Sequence, residues 1–207
     1  MTVVLWNLLA ILGAVAVVAV VIVVVVRVSR ARAGDGRSVG PRPASDEPVE
    51  AERRRQKAVD DLRILDTLPE ERFDRIVTMA RQLYGTESAV FSIIDRDREW
   101  HKSRSGNTVE VAERTASFCS VTIRGKDALV VGDASKDDRF SSTPGVVGDP
   151  NLRFYAGFPV KAPGGEQIGA LCVYDPSPRD PQNVDDSMLR QLAHLLEAEL
   201  RVAPTRR

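Results

Sequence analysis

The thiols and the imidazoles are the side chains best suited to chemistry in this sequence, which contains two cysteines and two histidines. A deprotonated thiol at Cys119 or Cys172 could act as a nucleophile or a redox group, and His101 or His194 could act as a base or a metal ligand. Neither histidine has a cysteine, a histidine or a carboxylate at metal-ligand spacing, so both are interpreted as surface or rim residues. Both cysteines lie in apolar stretches, which is typical of buried thiols that pack as small hydrophobic groups. The residue types therefore predict no catalytic group and no metal site.

Five ordered sequence blocks lie between residues 64 and 175, and the resemblance that they carry extends over roughly residues 51–200. They are ILDTLPEERFDRI (64–76), DREWHKSRSG (97–106), SFCSVTI (117–123), DASKDDRF (133–140) and RFYAGFPV continuing to GALCVYD (153–175). In these blocks the chain resembles the GAF domain family. The resemblance implies an α+β fold in which helices flank a GAF-like central antiparallel sheet of five to six strands, preceded in this chain by one transmembrane helix.

The resemblance also implies a sensory or regulatory role, in which a small ligand or a partner protein acts through a pocket in the domain. Some GAF proteins reduce free methionine sulfoxide through cysteines, and others attach bilin chromophores to one. A thiol-dependent redox enzyme of the free methionine sulfoxide reductase type is therefore an alternative, and a ligand-free dimerisation scaffold is another. The residues Ser120-Val121-Thr122 follow Cys119 where a histidine is common, and the signature of cyclic-nucleotide GAF domains is absent. We expect a sensory module that has no catalysis of its own and no cofactor.

A ligand pocket would take its walls from the sheet and from the irregular segment that closes over it. Aromatic and aliphatic side chains would form most of the lining, and two arginines would supply polar contacts. The candidate ligand-binding residues are Phe91, Ile93, Trp100, Phe118, Val121, Arg139, Arg153, Phe154 and Tyr155.

The apolar periodicity predicts the elements that position these residues. Two helices are expected between residues 50 and 84. Strands are expected at 89–95, 99–104, 128–131, 153–161 and 167–175, and a closing amphipathic helix at 184–200. Thr67 and Glu70 have the spacing of a capping box at the start of the second helix. In the second strand, the period of two places Trp100 in the core and both Glu99 and His101 on the other side.

Residues 1–28 predict a transmembrane helix, because the stretch between Val3 and Val26 carries no charged side chain and is rich in Val, Leu, Ile and Ala. As a helix it would be about 36 Å long, which exceeds a hydrocarbon core of about 30 Å. Residues 29–49 are expected to form a flexible juxtamembrane linker, residues 50–201 the GAF domain and residues 202–207 a disordered tail. A cleaved signal peptide is the alternative, against which the missing basic start and the long apolar run argue.

The charges constrain the partners. Basic and acidic residues are equal in number, at 29 each, so the composition gives no sign of a nucleic-acid-binding surface.

Three partners are expected. We expect an unknown small molecule as ligand and, because little sequence follows the last predicted helix, an output protein that receives the signal in trans. The apolar positions in 58–65 and 188–200 exceed what one sheet face would cover, which predicts a homodimer through the first and last helices.

The positions of the arginines predict how the transmembrane helix is oriented in the membrane. Arg27, Arg30 and Arg32 follow the apolar stretch, while only the α-amino group precedes it. Because positive charges near a span stay on the cytoplasmic side, we expect a single-pass protein of the cell membrane with its N-terminus outside and its GAF domain in the cytoplasm.

A reporter fused after Arg207 should therefore behave as cytoplasmic, and one fused before Met1 as external. Replacing Arg27, Arg30 and Arg32 with glutamine should weaken this orientation more than it lowers stability, because the nearby positive charges set the topology. A reversed reporter pattern in the wild-type chain would contradict the predicted topology.

Overall fold

The computed structural model describes residues 47–202, a stretch with five α helices and six β strands. The helices are α1 (Glu47–Leu62), α2 (Glu71–Tyr84), α3 (Phe118–Thr122), α4 (Pro144–Val147) and α5 (Ser187–Arg201). The strands are β1 (Ser88–Asp95), β2 (Arg98–Ser105), β3 (Val111–Glu113), β4 (Leu129–Val131), β5 (Phe154–Lys161) and β6 (Gln167–Asp175). Short 3-10 turns are formed by Arg114–Ala116, Ala134–Lys136 and Pro181–Asn183.

The strands form one antiparallel sheet in the order β3-β2-β1-β6-β5-β4, which confirms the predicted α+β fold. β1 pairs with β2 and β5 pairs with β6 as hairpins, and the pairing of β1 with β6 joins the two hairpins in the middle of the sheet. The strand β3 was not predicted, because three residues at a sheet edge are too few to show a period of two.

Both faces of the sheet are covered. In β1, Phe91 and Ile93 pack on one face and Val90 and Ile94 on the other, because side chains alternate along a strand. The first face packs against residues of α1, α2 and α5. The second packs against α3 and the irregular segment between β4 and β5. As a result β1 is buried along its whole length.

The amphipathic helix α2 covers part of the first face. Its buried side chains are Phe73, Ile76, Val77 and Ala80. The helix ends at Gly85, whose φ of 55° is a left-handed conformation that glycine adopts without steric cost. These four positions recur at helical spacing and so lie on one side of the helix, whereas Leu83 is exposed.

The predicted capping box at the start of α2 is wrong. Thr67 donates its hydroxyl to the carbonyl of Ile64 (2.7 Å), and the N-cap residue Glu70 makes no side-chain capping bond. The cause is the buried ammonium of Lys102 on β2, which bonds to Thr67 Oγ1 (2.7 Å), the Leu68 carbonyl (2.8 Å) and Glu70 Oε1 (2.8 Å). A tertiary contact thus takes the place of the local one.

The closing helix α5 also covers the first face. Its buried apolar side chains are Leu189, Leu192, Ala193, Leu196 and Leu200. Most of the apolar positions that suggested a dimer interface on this helix therefore belong to the core. Met188 and Leu195 remain exposed. The homodimer stays a prediction, and on this helix it depends on these exposed apolar side chains.

The stretch between Val3 and Val26 lies outside the described residues. Within residues 47–202, no helix combines the length and the apolar character that crossing a membrane requires.

Lys102→Met should lower the free energy of unfolding by about 2–3 kcal/mol, because it removes the donor to the Leu68 carbonyl and the positive charge beside Glu70. Burial alone would raise the pKa of Glu70, but the hydrogen bond and charge of Lys102, together with Arg72, hold it below its usual value of 4.5. This contribution to stability is therefore complete above about pH 4.5 and is lost as the pH falls through the lower pKa of the folded state.

Urea denaturation at neutral and acidic pH measures both effects. The matched control is Arg104→Gln on the same strand, whose contact with Glu110 (3.2 Å) is exposed, so the loss should be about 0.5 kcal/mol or less. Equal losses in the two variants, or a Lys102→Met loss that does not shrink in acid, would contradict this account.

Candidate functional site

A cavity of about 530 Å³ opens on the second face of the sheet, the face that carries α3. Side chains of β1, β2, β5 and β6 form its base. One wall comes from residues 107–113 at the sheet edge, and the other from the start of α3 and from residues 143–152. The lining is mostly apolar and has polar groups at a few points, which is typical of sites for small molecules.

A buried Glu99–His101 pair supplies the first polar group of the cavity. His101 Nε2 lies 3.0 Å from Glu99 Oε1, and Nδ1 lies 2.6 Å from the carbonyl oxygen of Val109. Because a carbonyl can only accept, Nδ1 carries a hydrogen, and Nε2 shares a proton with the carboxyl group. Burial raises the pKa of Glu99, but hydrogen bonding and charge from His101, with smaller contributions from Ser117 and Cys119, lower it overall. The base of the cavity therefore holds a carboxyl–imidazole pair that shares a proton away from bulk water.

The alternation along β2 explains this placement. Trp100 packs in the helix-covered core, while its neighbours Glu99 and His101 line the cavity, as the period of two predicted. The interpretation of His101 as a surface or rim residue is wrong, because only 8% of it is exposed. The sequence could not show this, since burial on the second face depends on segments that are distant along the chain.

A cluster around Tyr155 supplies the second polar group. The Tyr155 hydroxyl lies 2.8 Å from Thr122 Oγ1 and 3.4 Å from Cys119 Sγ, which in turn lies 3.5 Å from Cys172 Sγ. The Tyr155 ring passes over Gly157 on the same strand, where a Cβ would lie 2.2 Å from the hydroxyl oxygen. Glycine at 157 is therefore needed for the tyrosine to reach the thiol pair.

Burial governs the titration of this cluster. It raises the pKa of Cys119 well above the usual value, and the hydrogen bond and charge of Cys172 raise it further. Burial likewise raises the pKa of Tyr155 well above its usual value, and the charges of the two cysteines add to the effect. Both groups are therefore protonated at neutral pH, which makes Cys119 a weak nucleophile in this state.

The first turn of α3 holds Cys119 in position. Ser117 caps the helix, since its hydroxyl oxygen accepts a hydrogen bond from the Ser120 amide (2.9 Å). Phe118 stacks on Phe140 (ring centroids 3.9 Å apart) and on Tyr155 (4.9 Å), which fixes the helix to the sheet. The SFC sequence thus places a cap, an aromatic anchor and a thiol in consecutive positions.

The structure brings two of the nine candidate ligand-binding residues to the cavity, namely Phe118 and Tyr155. Four others pack in the core on the helix-covered face: Phe91, Ile93, Trp100 and Phe154. Val121 packs against the core of the second face without lining the cavity. A ligand-binding role of Phe118 and Tyr155 stays a prediction.

The two candidate arginines are engaged elsewhere. Arg139 pairs with Asp137 (2.6 Å), and Arg153 donates to the carbonyls of Val146 (2.9 Å) and Leu152 (3.0 Å). Neither lines the cavity. Their hydrogen bonds indicate a structural role in the irregular segment between β4 and β5.

Most of the cavity wall was missed by sequence reasoning. The residues concerned lie in the edge segment 107–113 and in the loop 143–152. Both are irregular or very short elements, so periodicity gave no signal for them. Within the described part of the chain, no group of three or more Cys, His, Asp or Glu residues is arranged to hold a metal ion.

A family model for the GAF domain matches residues 68–200, well over half of the chain. This chain belongs to the GAF domain family. The match includes every strand of the sheet and all the residues that line the cavity. The GAF fold predicted from the five sequence blocks is thereby confirmed.

A cyclic di-GMP phosphodiesterase of Pseudomonas aeruginosa is 38% identical to this GAF protein over 152 residues, which are 73% of this chain and 26% of the relative. The chain thus spans about a quarter of the length of that relative. Among solved structures, a type II free methionine-R-sulfoxide reductase from Thermoplasma acidophilum has a TM-score of 0.51 at 14% identity, covering 61% of this chain and 88% of the reductase. The GAF domain of an Acinetobacter phosphoenolpyruvate-protein phosphotransferase has a TM-score of 0.50 at 15% identity, covering 73% and 92%. These structural likenesses show the fold.

The sequence predicted that the chain is not an enzyme, and this prediction is wrong. The relative that matches 73% of this chain is named as a cyclic di-GMP phosphodiesterase. Familiar catalytic motifs do not define the activities that a fold can support, so their absence from the sequence does not exclude an enzyme.

Alkylation of Cys119 and Cys172 by a bulky maleimide should be slow in the native protein and fast after denaturation, because both thiols are buried and Cys119 is protonated at neutral pH. Mass spectrometry at successive times measures the rate at which the maleimide adds to the native chain, and the urea-unfolded chain serves as control. Rapid native labelling would contradict the prediction, as would turnover of free methionine sulfoxide that is lost in Cys119→Ser.

Proposed function

We propose that this GAF domain is a sensory module that binds a small organic ligand in the cavity beside β2 and transmits its occupancy to an output protein. The observation that carries the proposal is the buried Glu99–His101 pair at the base of a cavity of about 530 Å³. A cavity of this size accommodates a small molecule, and polar groups at a few points of an apolar lining would orient it.

The lining favours an uncharged or cationic ligand. Within the described part of the chain, neither lysine nor arginine lines the cavity, while Glu99, Glu113 and Asp149 bring three carboxyl groups to it. A phosphate-bearing ligand would find no guanidinium or ammonium group here and would face carboxylates instead. We therefore propose a ligand rich in N–H or O–H donors that bonds to the Glu99 carboxylate and to hydroxyl groups of the wall.

β2 is the proposed route for the signal. Glu99 and His101 face the cavity, whereas Lys102 faces the helices and holds the segment before α2 through Thr67 and Glu70. A ligand that shifts β2 would therefore shift the start of α2, since the two sets of contacts lie on opposite sides of one strand. The proposal requires only that occupied and empty cavities differ in the position of this strand.

Cyclic di-GMP turnover is the proposed output, and it is supported by the name of the P. aeruginosa relative. We further propose that the stretch between Val3 and Val26 holds the domain at the cytoplasmic face of a membrane, which the reporter fusions test. Measuring cyclic di-GMP in cells that produce the wild-type chain or a cavity-filled variant tests the output, and equal levels would contradict it.

Ala112→Trp should abolish retention of the ligand, because Ala112 lies on β3 opposite Glu99 and lines the cavity. Native mass spectrometry of the purified full-length chain in a mild detergent measures the retained small molecules. We expect a mass adduct on the wild type that falls at least tenfold in the variant.

The matched control is Met79→Trp, which adds the same side chain at an exposed position of α2 away from the cavity. It should retain the adduct at the wild-type level. Equal loss in both variants, or a wild-type chain without any adduct, would contradict ligand binding in this cavity.

A further inference from the structure

Two thiols that the proposed function does not use meet in the cavity. Cys119 lies on α3 and Cys172 on β6, 53 positions apart in the chain, yet their sulfur atoms are 3.5 Å apart. Both residues line the cavity and both are present as free thiols. The fold therefore brings together two oxidisable groups where a small molecule can reach them.

We propose that Cys119 and Cys172 form an intramolecular disulfide when hydrogen peroxide enters the cavity. One sulfur, on losing its proton, attacks a peroxide oxygen, the O–O bond breaks, and a sulfenic acid forms as the first water leaves. The second sulfur, also deprotonated, attacks the sulfenic sulfur, the S–O bond breaks, the S–S bond forms and the second water leaves. Two thiols are oxidised by two electrons, and one hydrogen peroxide is reduced to two waters.

The geometry allows this bond with little movement. A disulfide needs its sulfur atoms about 2.05 Å apart, so the present gap of 3.5 Å must close by about 1.5 Å. Rotation about the Cα–Cβ bonds of the two cysteines is the movement that would bring their sulfur atoms together. The contact of Cys119 with Tyr155 would be lost, while the Tyr155 hydroxyl keeps its 2.8 Å contact with Thr122.

The two steps differ in rate. The first is slow, because burial raises the pKa of the Cys119 thiol and leaves little thiolate at neutral pH. The second is fast, because the neighbouring sulfur is already in place and the step is intramolecular. The sulfenic acid therefore does not accumulate, and the disulfide is the product that is observed.

Oxidation would join one wall of the cavity to its base. In the thiol state, α3 is held to the sheet by its capped first turn and by the stacking of Phe118 on Tyr155. The disulfide adds a covalent link from α3 to β6, which constrains the unfolded chain and reduces movement of the helix over the cavity. The modification therefore raises the thermal stability of the domain.

Hydrogen peroxide added to the full-length reduced chain tests the proposal. Intact mass should fall by two hydrogens, non-reducing peptide mapping should link the peptides of Cys119 and Cys172, and the melting temperature should rise. Dithiothreitol should reverse all three changes. A chain whose two thiols stay free, or whose cysteines gain oxygen without a link, would overturn the proposal, as would a link between two copies.

Cys172→Ala and Cys119→Ala are the matched variants. Neither should lose two hydrogens, and the remaining thiol should take up oxygen slowly or stay unmodified. Because the mapping of the wild-type chain decides the question, the test holds even where a variant folds poorly. A two-hydrogen loss in either variant would also overturn the assignment.

Discussion

The burial of one sheet on both faces is the constraint on which the rest of this structure depends. The central strand β1 is buried along its whole length, so each face needs a cover of its own. Helices α1, α2 and α5 cover one face with regular apolar side chains. The other is covered by the five-residue α3 and by irregular chain, and the cavity lies on this face. A short helix and loops fill space less completely than packed helices, which leaves room for a ligand.

The same constraint explains the buried polar groups. β2 brings Glu99 and His101 to one face and Lys102 to the other, and each is buried with a partner. An unpaired buried charge is costly, so these contacts are necessary for a strand with such a polar sequence to lie inside the domain. The pairs also tie the strand to its surroundings, because the Lys102 bonds fix the segment before α2. Stability and the proposed signalling route thus depend on the same strand.

The fold of this chain is shared with a reductase and with the GAF domain of a phosphotransferase, so the fold by itself does not define an activity. The cavity of this chain is characterised by the side chains that line it. Among the described residues, carboxyl groups line it without lysine or arginine, which supports the proposed ligand without phosphate, and the two adjacent thiols support the proposed reaction with an oxidant. These features come from particular side chains, so they bear on function more directly than the fold does.

The sequence by itself determined the family, the order of the major elements and the alternation in β2, because these depend on local periodicity and on contiguous motifs. It also placed Trp100 opposite Glu99 and His101, since a strand has a period of two. Only the tertiary structure decided that Lys102 replaces the capping box of α2, and that seven of the nine candidate ligand-binding residues lie away from the cavity. It alone decided that Cys119 and Cys172 are neighbours. Each of these outcomes depends on contacts between segments far apart in the chain. The composition and residue spacing of one segment do not determine which distant segment will pack against that segment.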